Sequence, residues 1–185
     1  MHATLIRSST EADLPAITAL YDWNAVHGTG TFELAGPPLE EMAQRRADVL
    51  AKGLPWLVAE RDGRVLGYAY ANLFRARMAW RHTLEDSIYL APQAQNQGLG
   101  RLLLAELIAR CTALGARQML AVIGDSGNAG SINLHRRCGY TEVGVMKSVG
   151  WKFDRWVDCV IMQRSLGEGD HLAAGVAAYP GGTGA

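Results

Sequence analysis

Residues 95–101 read Gln95-Asn96-Gln97-Gly98-Leu99-Gly100-Arg101, and they join an apolar, strand-like run at residues 87–90 to an amphipathic stretch at residues 99–114. In that stretch Leu99, Leu102, Leu103, Leu107, Cys111 and Leu114 recur at helical spacing, and Gly115 closes it. A strand that feeds a glycine-bearing turn and then a helix leaves backbone N–H groups converging at the positive end of the helix dipole. Glycine lets a pyrophosphate approach the backbone and supplies positive φ where a turn needs it. Taken alone, the stretch fits a phosphate cradle and an ordinary strand-to-helix turn about equally well.

The bulk of the sequence narrows the choice of ligand. A chain of 185 residues, 49% of it hydrophobic, reads as one domain with a sizeable core. Lys+Arg and Asp+Glu both number 18, so the formal charge is zero and there is no electrostatic footprint for nucleic acid or an anionic membrane. Any anionic ligand must be held by local geometry. Cys111, Cys138 and Cys159 are odd in number, far apart and without metal-ligand spacing; they read as reduced thiols, and no metal site is expected. With neither a basic-plus-apolar leader nor an apolar run of bilayer length, the expectation is a soluble cytoplasmic protein.

Outward from the turn, the elements follow from pattern. Residues 4–7 read as a first strand, and Thr10-Glu11-Ala12-Asp13 opens a helix that runs to about residue 25. Gly28-Thr29-Gly30-Thr31-Phe32-Glu33 is loop, followed by a second helix that starts after Pro37-Pro38 and stops at Gly53 and Pro55. Two β-rich runs at 56–60 and 65–72 meet across Asp62-Gly63, a hairpin signal. Residues 73–82 form a basic, aromatic link with Arg75, Arg77 and Arg81, suited either to solvent or to a bound carboxylate or phosphinate. The strand at 83–90 carries adjacent acids, Glu85 and Asp86, which must point to opposite faces unless a bulge intervenes. Downstream come a strand at 118–123, a Gly/Asn loop, a short helix at 132–138, and strands at 140–146 and 155–163 linked through residues 150–154. Residues 167–185 are rich in small and polar residues and read as a flexible tail.

This order, with Gln95-x-x-Gly98-x-Gly100 and the later Asn128-x-x-Ser131-Ile132-x-Leu134-His135-x-x-x-Gly139-Tyr140, resembles the GNAT superfamily of acyl-CoA N-acyltransferases over residues 4–165. Within it, the segments RARMAWRHTLEDSIYL, LAVIGDSGN, INLHRRCGY and GWKFDRWVD are similar to the phosphinothricin and methionine sulfoximine N-acetyltransferase group. The resemblance implies an α/β fold: a mixed, mostly antiparallel central sheet of about six to seven strands flanked by about four helices, within a single domain at 1–166. It implies direct acetyl transfer from acetyl-CoA to the amine of a small amino-acid-like acceptor, without metal, by a homodimer.

Such chemistry needs a neutral amine, a donor for the transient oxyanion and a proton for the departing thiolate. The resemblance casts Glu85 as base, with Asp86 its neighbouring rival, and puts His135 where many members carry a tyrosine that protonates the thiolate; a helical histidine also serves as a structural residue. It assigns Ile88, Tyr89 and Leu90 to the pantetheine arm, Gln95, Asn96, Gln97, Gly98, Leu99, Gly100 and Arg101 to the pyrophosphate, and Asn128 and Ser131 to the same cofactor. Asn128 suits a helix N-cap equally. For the acceptor it points to Phe32, Tyr70, Arg77, Trp80, Val122 and Gly124, with Trp80 standing where the group often has tyrosine. Other readings are an acyl-CoA sensor without turnover, or an acetyltransferase acting on a protein N-terminus or a polyamine; the arginine-rich link disfavours the polyamine.

Overall fold

A computed structural model describes residues 4–174. The chain runs β1 (Leu5–Ser8), a 3-10 turn at Glu11–Asp13, α1 (Leu14–His27), α2 (Leu39–Ala51), β2 (Trp56–Arg61) and β3 (Arg64–Leu73). A 3-10 turn at Met78–Trp80 leads to β4 (Thr83–Leu90), then α3 (Leu99–Ala113), β5 (Gln118–Gly124), α4 (Ala129–Arg137), β6 (Thr141–Lys152) and β7 (Arg155–Ser165). The seven strands form one sheet in the order β1-β2-β3-β4-β5-β7-β6, in which only β4 and β5 are parallel. Among the described residues no helix is long and apolar enough to cross a membrane.

Local chemistry explains most boundaries. The Asp13 carboxylate accepts hydrogen bonds from the Thr10 N–H (2.7 Å) and hydroxyl (3.0 Å), which starts the first helix as the sequence pattern predicts. Asp62 and Gly63 both have positive φ, 53° and 72°, so the β2–β3 loop has the twist that a two-residue hairpin requires. Two expectations shift. The short helix starts at Ala129 rather than 132, because the Asn128 side chain accepts from the Ser131 N–H and caps it there. β6 runs on to Lys152, and only Phe153 and Asp154, both at φ 53°, make the turn into β7. A phenylalanine at positive φ is not a turn signal that sequence reading recognises; the cross-strand Trp151–Trp156 pair, with rings 5.3 Å apart, extends the ladder instead.

The sheet is covered on both faces. Tyr21 of α1 meets Tyr89 edge-on at 5.0 Å on one face, while His135 of α4 bonds Asp86 on the other. Successive residues of a strand face opposite ways, so α1 and α2 lie on the Glu85 face and α3 and α4 on the Asp86 face. The core includes Ile17, Leu57, Tyr68, Leu84, Leu103 and Met119, all fully buried. Leu166 is buried too, and Arg117 donates to the carbonyls of Gly169 (3.5 Å) and Ala173 (3.4 Å), tying the start of the expected tail to β5. Residues 175–185 of that tail, like residues 1–3, lie outside the described residues.

Candidate active site

The parallel ladder between β4 and β5 is short. Thr83 to Asp86 pair with Gln118 to Ala121, and no further pair follows although both strands continue. The strands fork from residue 87 onward. The Ala91 N–H donates to the Leu66 carbonyl (2.9 Å) on the β3 side, so the alternation of the backbone turns the N–H groups of Leu90 and Ile88 into the fork. Tyr89 is the exception among the three pantetheine candidates. Its main chain faces β3 and its half-buried ring packs against Tyr21 and Tyr68.

The glycine turn lies beyond the end of β4. Asn96 (φ 58°) and Gly98 (φ 79°) are left-handed, and a Cβ on Gly98 would meet no atom within 4 Å, so its side is open. No side chain caps the N-terminus of α3, which leaves its first N–H groups available to an anion. Gly100 serves a different end: a Cβ there would lie 3.1 Å from Leu134 and 3.2 Å from Leu90, so it lets α4 and β4 close around the helix start. Arg61 reaches over from β2 to donate to Gln97 Oε1 (3.0 Å), and Gln97 Nε2 donates to the Gln93 carbonyl (2.6 Å). Those bonds brace the turn without occupying its backbone amides. On the far side of the fork Asn128 and Ser131 form the cap of α4, and Asn128 Nδ2 also donates to the Gly124 carbonyl at 3.4 Å.

The two adjacent acids separate cleanly. Asp86 is buried: its Oδ1 bonds His135 Nε2 (2.9 Å) and its Oδ2 accepts from the Tyr140 hydroxyl (2.8 Å). His135 Nδ1 meets the Ser131 carbonyl at 2.8 Å, so both ring nitrogens are engaged within the protein, and the residue is only 2% exposed. Burial alone would lower the His135 pKa, but the Asp86 hydrogen bond and charge, with the Ser131 carbonyl, outweigh it and raise the value. With the Ser131 carbonyl at Nδ1 and the Asp86 carboxylate at Nε2, both ring nitrogens face acceptors, an arrangement that favours a protonated imidazole inside the α4 face. Burial, together with the Asp86 charge, also pushes the Tyr140 phenol up.

Glu85 stands on the opposite face, half-buried, across from Asn72 and Leu120. Desolvation raises its pKa, the Asp86 charge adds to this, and Arg75 partly counters it. Arg75 lies over the Phe74 ring at 4.4 Å. Arg77 and Trp80, the sequence candidates from the same link, are exposed, with Trp80 edge-on to Phe74 at 5.4 Å. Tyr70 is stacked 4.1 Å from Trp56 beside a cavity of about 210 Å³ whose lining includes Arg45, Lys52 and Asn72.

The remaining acceptor candidates meet at the mouth of the fork. Gly124 ends β5 where a Cβ would sit 1.8 Å from the Thr29 carbonyl oxygen and 3.6 Å from Phe32, so loop 28–33 crosses directly over it. Val122 lies two residues back on the same face. The three cysteines are free and buried, and burial pushes the Cys111 thiol up to about 12. Among the described residues no group of His, Cys, Asp or Glu is arranged to hold a metal ion.

Sequence reading missed the Asp86–His135–Tyr140 cluster, although a signal was present. Leu84, Asp86, Ile88 and Leu90 share one phase of β4, and an acid in an otherwise apolar row is an acid on a buried face.

The profile of the acetyltransferase (GNAT) family matches residues 17–140. The chain is 55% identical over 168 residues to a phosphinothricin N-acetyltransferase of Alcaligenes faecalis, covering 91% of this chain and 85% of that one. It is 43% identical over 165 residues to an L-methionine sulfoximine/L-methionine sulfone acetyltransferase of Pseudomonas paraeruginosa, covering 87% and 94%. Its fold superposes with a TM-score of 0.92 on a phosphinothricin acetyltransferase from Sinorhizobium meliloti crystallised with AcCoA, at 45% identity and 96% coverage of each chain.

Breaking the buried pair has a signed consequence. Because the folded His135 pKa is raised above its unfolded value of about 6.5, its stabilisation is complete below that pH and is lost as pH rises through the folded value. Asp86→Asn should cost about 3 kcal/mol or more in urea unfolding and flatten the decline of stability above about pH 6.5.

Proposed function

The chain belongs to the GNAT acetyltransferase family, and from that premise we propose that it transfers acetyl from acetyl-CoA directly to the amino group of a small amino-acid-like acceptor of the phosphinothricin or methionine sulfoximine class. The observation that carries this reading is the fork itself. An unpaired strand edge runs from the glycine turn on the α3/α4 side towards Glu85 on the α1/α2 side. One substrate is thus held along the edge while the other approaches from the opposite face.

Bound acetyl-CoA would supply the acetyl thioester. For holding it, the uncapped N-terminus of α3 and the backbone of residues 96–101 suit the pyrophosphate, and the inward N–H groups of Ile88 and Leu90 suit an extended amide-bearing arm. The Leu90 N–H is our candidate donor to the developing oxyanion. Glu85 is our candidate base, acting directly or through one water. A half-buried carboxylate with a raised pKa takes a proton from an ammonium more effectively than an exposed one. His135 acts at one remove in this scheme, because both its nitrogens are engaged: it fixes Asp86, and with it the last paired rung before the fork. The acceptor would lie between the Glu85 face, the strap at Phe32 and the arginine–aromatic link, with Arg75, Arg77 and the Lys52-lined cavity as cations available to its acid group.

Two wider assignments go with this. The free, buried thiols support a reducing, cytoplasmic setting. A homodimer is supported by the edge strand β6, where Val143, Met146, Val149 and Trp151 are exposed beside Phe153 and Trp156.

An acceptor panel with acetyl-CoA and a thiol reagent tests the activity: CoA release that depends on a phosphinothricin- or methionine sulfoximine-type acceptor sustains it, and tight CoA binding without turnover sinks it. Glu85→Gln should lower kcat by about 10²–10⁴ and remove an acid limb of kcat/KM that lies above the ordinary glutamate pKa. Gly98→Val should raise the acetyl-CoA KM about tenfold or more and leave acceptor binding alone, since it strains only the turn. Val149→Lys combined with Trp151→Glu should halve the mass found by light scattering; an unchanged mass would place any dimer contact elsewhere.

A further inference from the structure

Lys152 is a lysine where an exposed one would be ordinary, at the last position of β6, yet it is 3% exposed. Its ammonium donates to the carbonyls of Thr31 (2.9 Å) and Glu33 (2.8 Å), and lies 5.2 Å from the centre of the Phe153 ring. Among the described residues no carboxylate is hydrogen-bonded to it. A buried ammonium is tolerated only when its donors are satisfied, so this side chain is committed to one task, holding a loop remote in sequence.

The surroundings are shaped to the same loop. Two residues before Lys152, Gly150 admits the Phe32 ring so closely that a Cβ there would lie 2.1 Å from it. Gly124, at the end of β5, admits the Thr29 carbonyl in the same way. The Thr31 hydroxyl bonds the Tyr21 hydroxyl (3.0 Å), and the Glu33 carboxylate is paired with Arg45 (2.8 Å). Thr29, Thr31, Phe32 and Glu33 are therefore each held by a contact from outside the loop, and Phe32, between the two carbonyls that Lys152 holds, still leaves 39% of its surface exposed beside Gly124.

We propose that Lys152 is a positioning residue for the acceptor: by clamping the carbonyls on either side of Phe32 it fixes that ring as a wall of the acceptor site at the mouth of the fork. This rests on the reading that the acceptor enters on the Glu85 face. Lys152 does not touch the reacting atoms; it acts through Phe32, and its removal changes how well the acceptor is held rather than how the acetyl donor binds.

Lys152→Met keeps most of the unbranched side chain, one atom shorter, and deletes its donors. The expected result is an acceptor KM raised about tenfold with the acetyl-CoA KM changed less than about twofold. Because Lys152 acts through Phe32, the double variant Lys152→Met/Phe32→Ala should show an acceptor KM no higher than Phe32→Ala alone. Gly150→Ala, which leaves the lysine intact and displaces the ring, should give the same split and serves if Lys152→Met does not fold. An unchanged acceptor KM in folded Lys152→Met and Gly150→Ala, or additive effects in the double variant, would overturn the proposal. Hydrogen exchange separates this from failure of the activity itself. If the wild-type protein acetylates no small amine, faster exchange at residues 31–33 in Lys152→Met still sustains the clamp, and unchanged exchange overturns it.

Discussion

The candidate site depends on a ladder that stops. β4 and β5 are the one parallel pair in the sheet, and their pairing ends at Asp86 and Ala121 while both strands go on. A buried backbone group without a partner costs about 1–3 kcal/mol, so strands do not part inside a protein without a cause and a use. The cause lies on both faces. On one, α4 is drawn onto β4 by His135 and Asp86, and Leu134 and Leu90 both pack against Gly100. On the other, the loop at 28–33 crosses the end of β5. What the parting leaves is an edge of main-chain donors that leads from a helix N-terminus to a half-buried carboxylate.

Three buried ionisable side chains, the His135–Asp86 pair and Lys152, hold this geometry, and none is placed where it adds much net stability. A buried ion pair such as His135–Asp86 roughly repays its own desolvation, and the ammonium of Lys152, held by two carbonyls, repays less. What both provide is direction. Asp86 accepts from Tyr140 through one oxygen and pairs with His135 through the other, and Lys152 reaches two specified carbonyls. Apolar packing would cover the same surfaces without choosing a single arrangement.

The sheet also divides the chemistry. The glycine turn, Asn128 and the α3/α4 layer lie towards the Asp86 face, while Glu85, Tyr70, Phe32 and Arg75 belong to the Glu85 face. Alternation along one strand produces that division from two neighbouring acids. Asp86 spends its charge within the core, and its proximity helps to raise the pKa of Glu85 on the other side.

Most of the architecture was legible in the residues because it is local. Helix starts at Thr10 and Pro38, the Asp62-Gly63 hairpin, the period of α3 and the positive φ at Gly98 all follow from chemistry within a few positions. The concurrence of the glycine turn with the Asn128–Tyr140 motif identified the family. Less legible was where local signals were unusual, as at Phe153 and Asp154, whose left-handed turn lengthened β6 beyond its expected end. Which of Glu85 and Asp86 is buried, that His135 is bonded at both nitrogens, and that Lys152 clamps residues 31–33 were decided only by tertiary structure. Each depends on a partner brought from far along the chain, and sequence order carries no record of which side chains the folded sheet sets within 3 Å of one another.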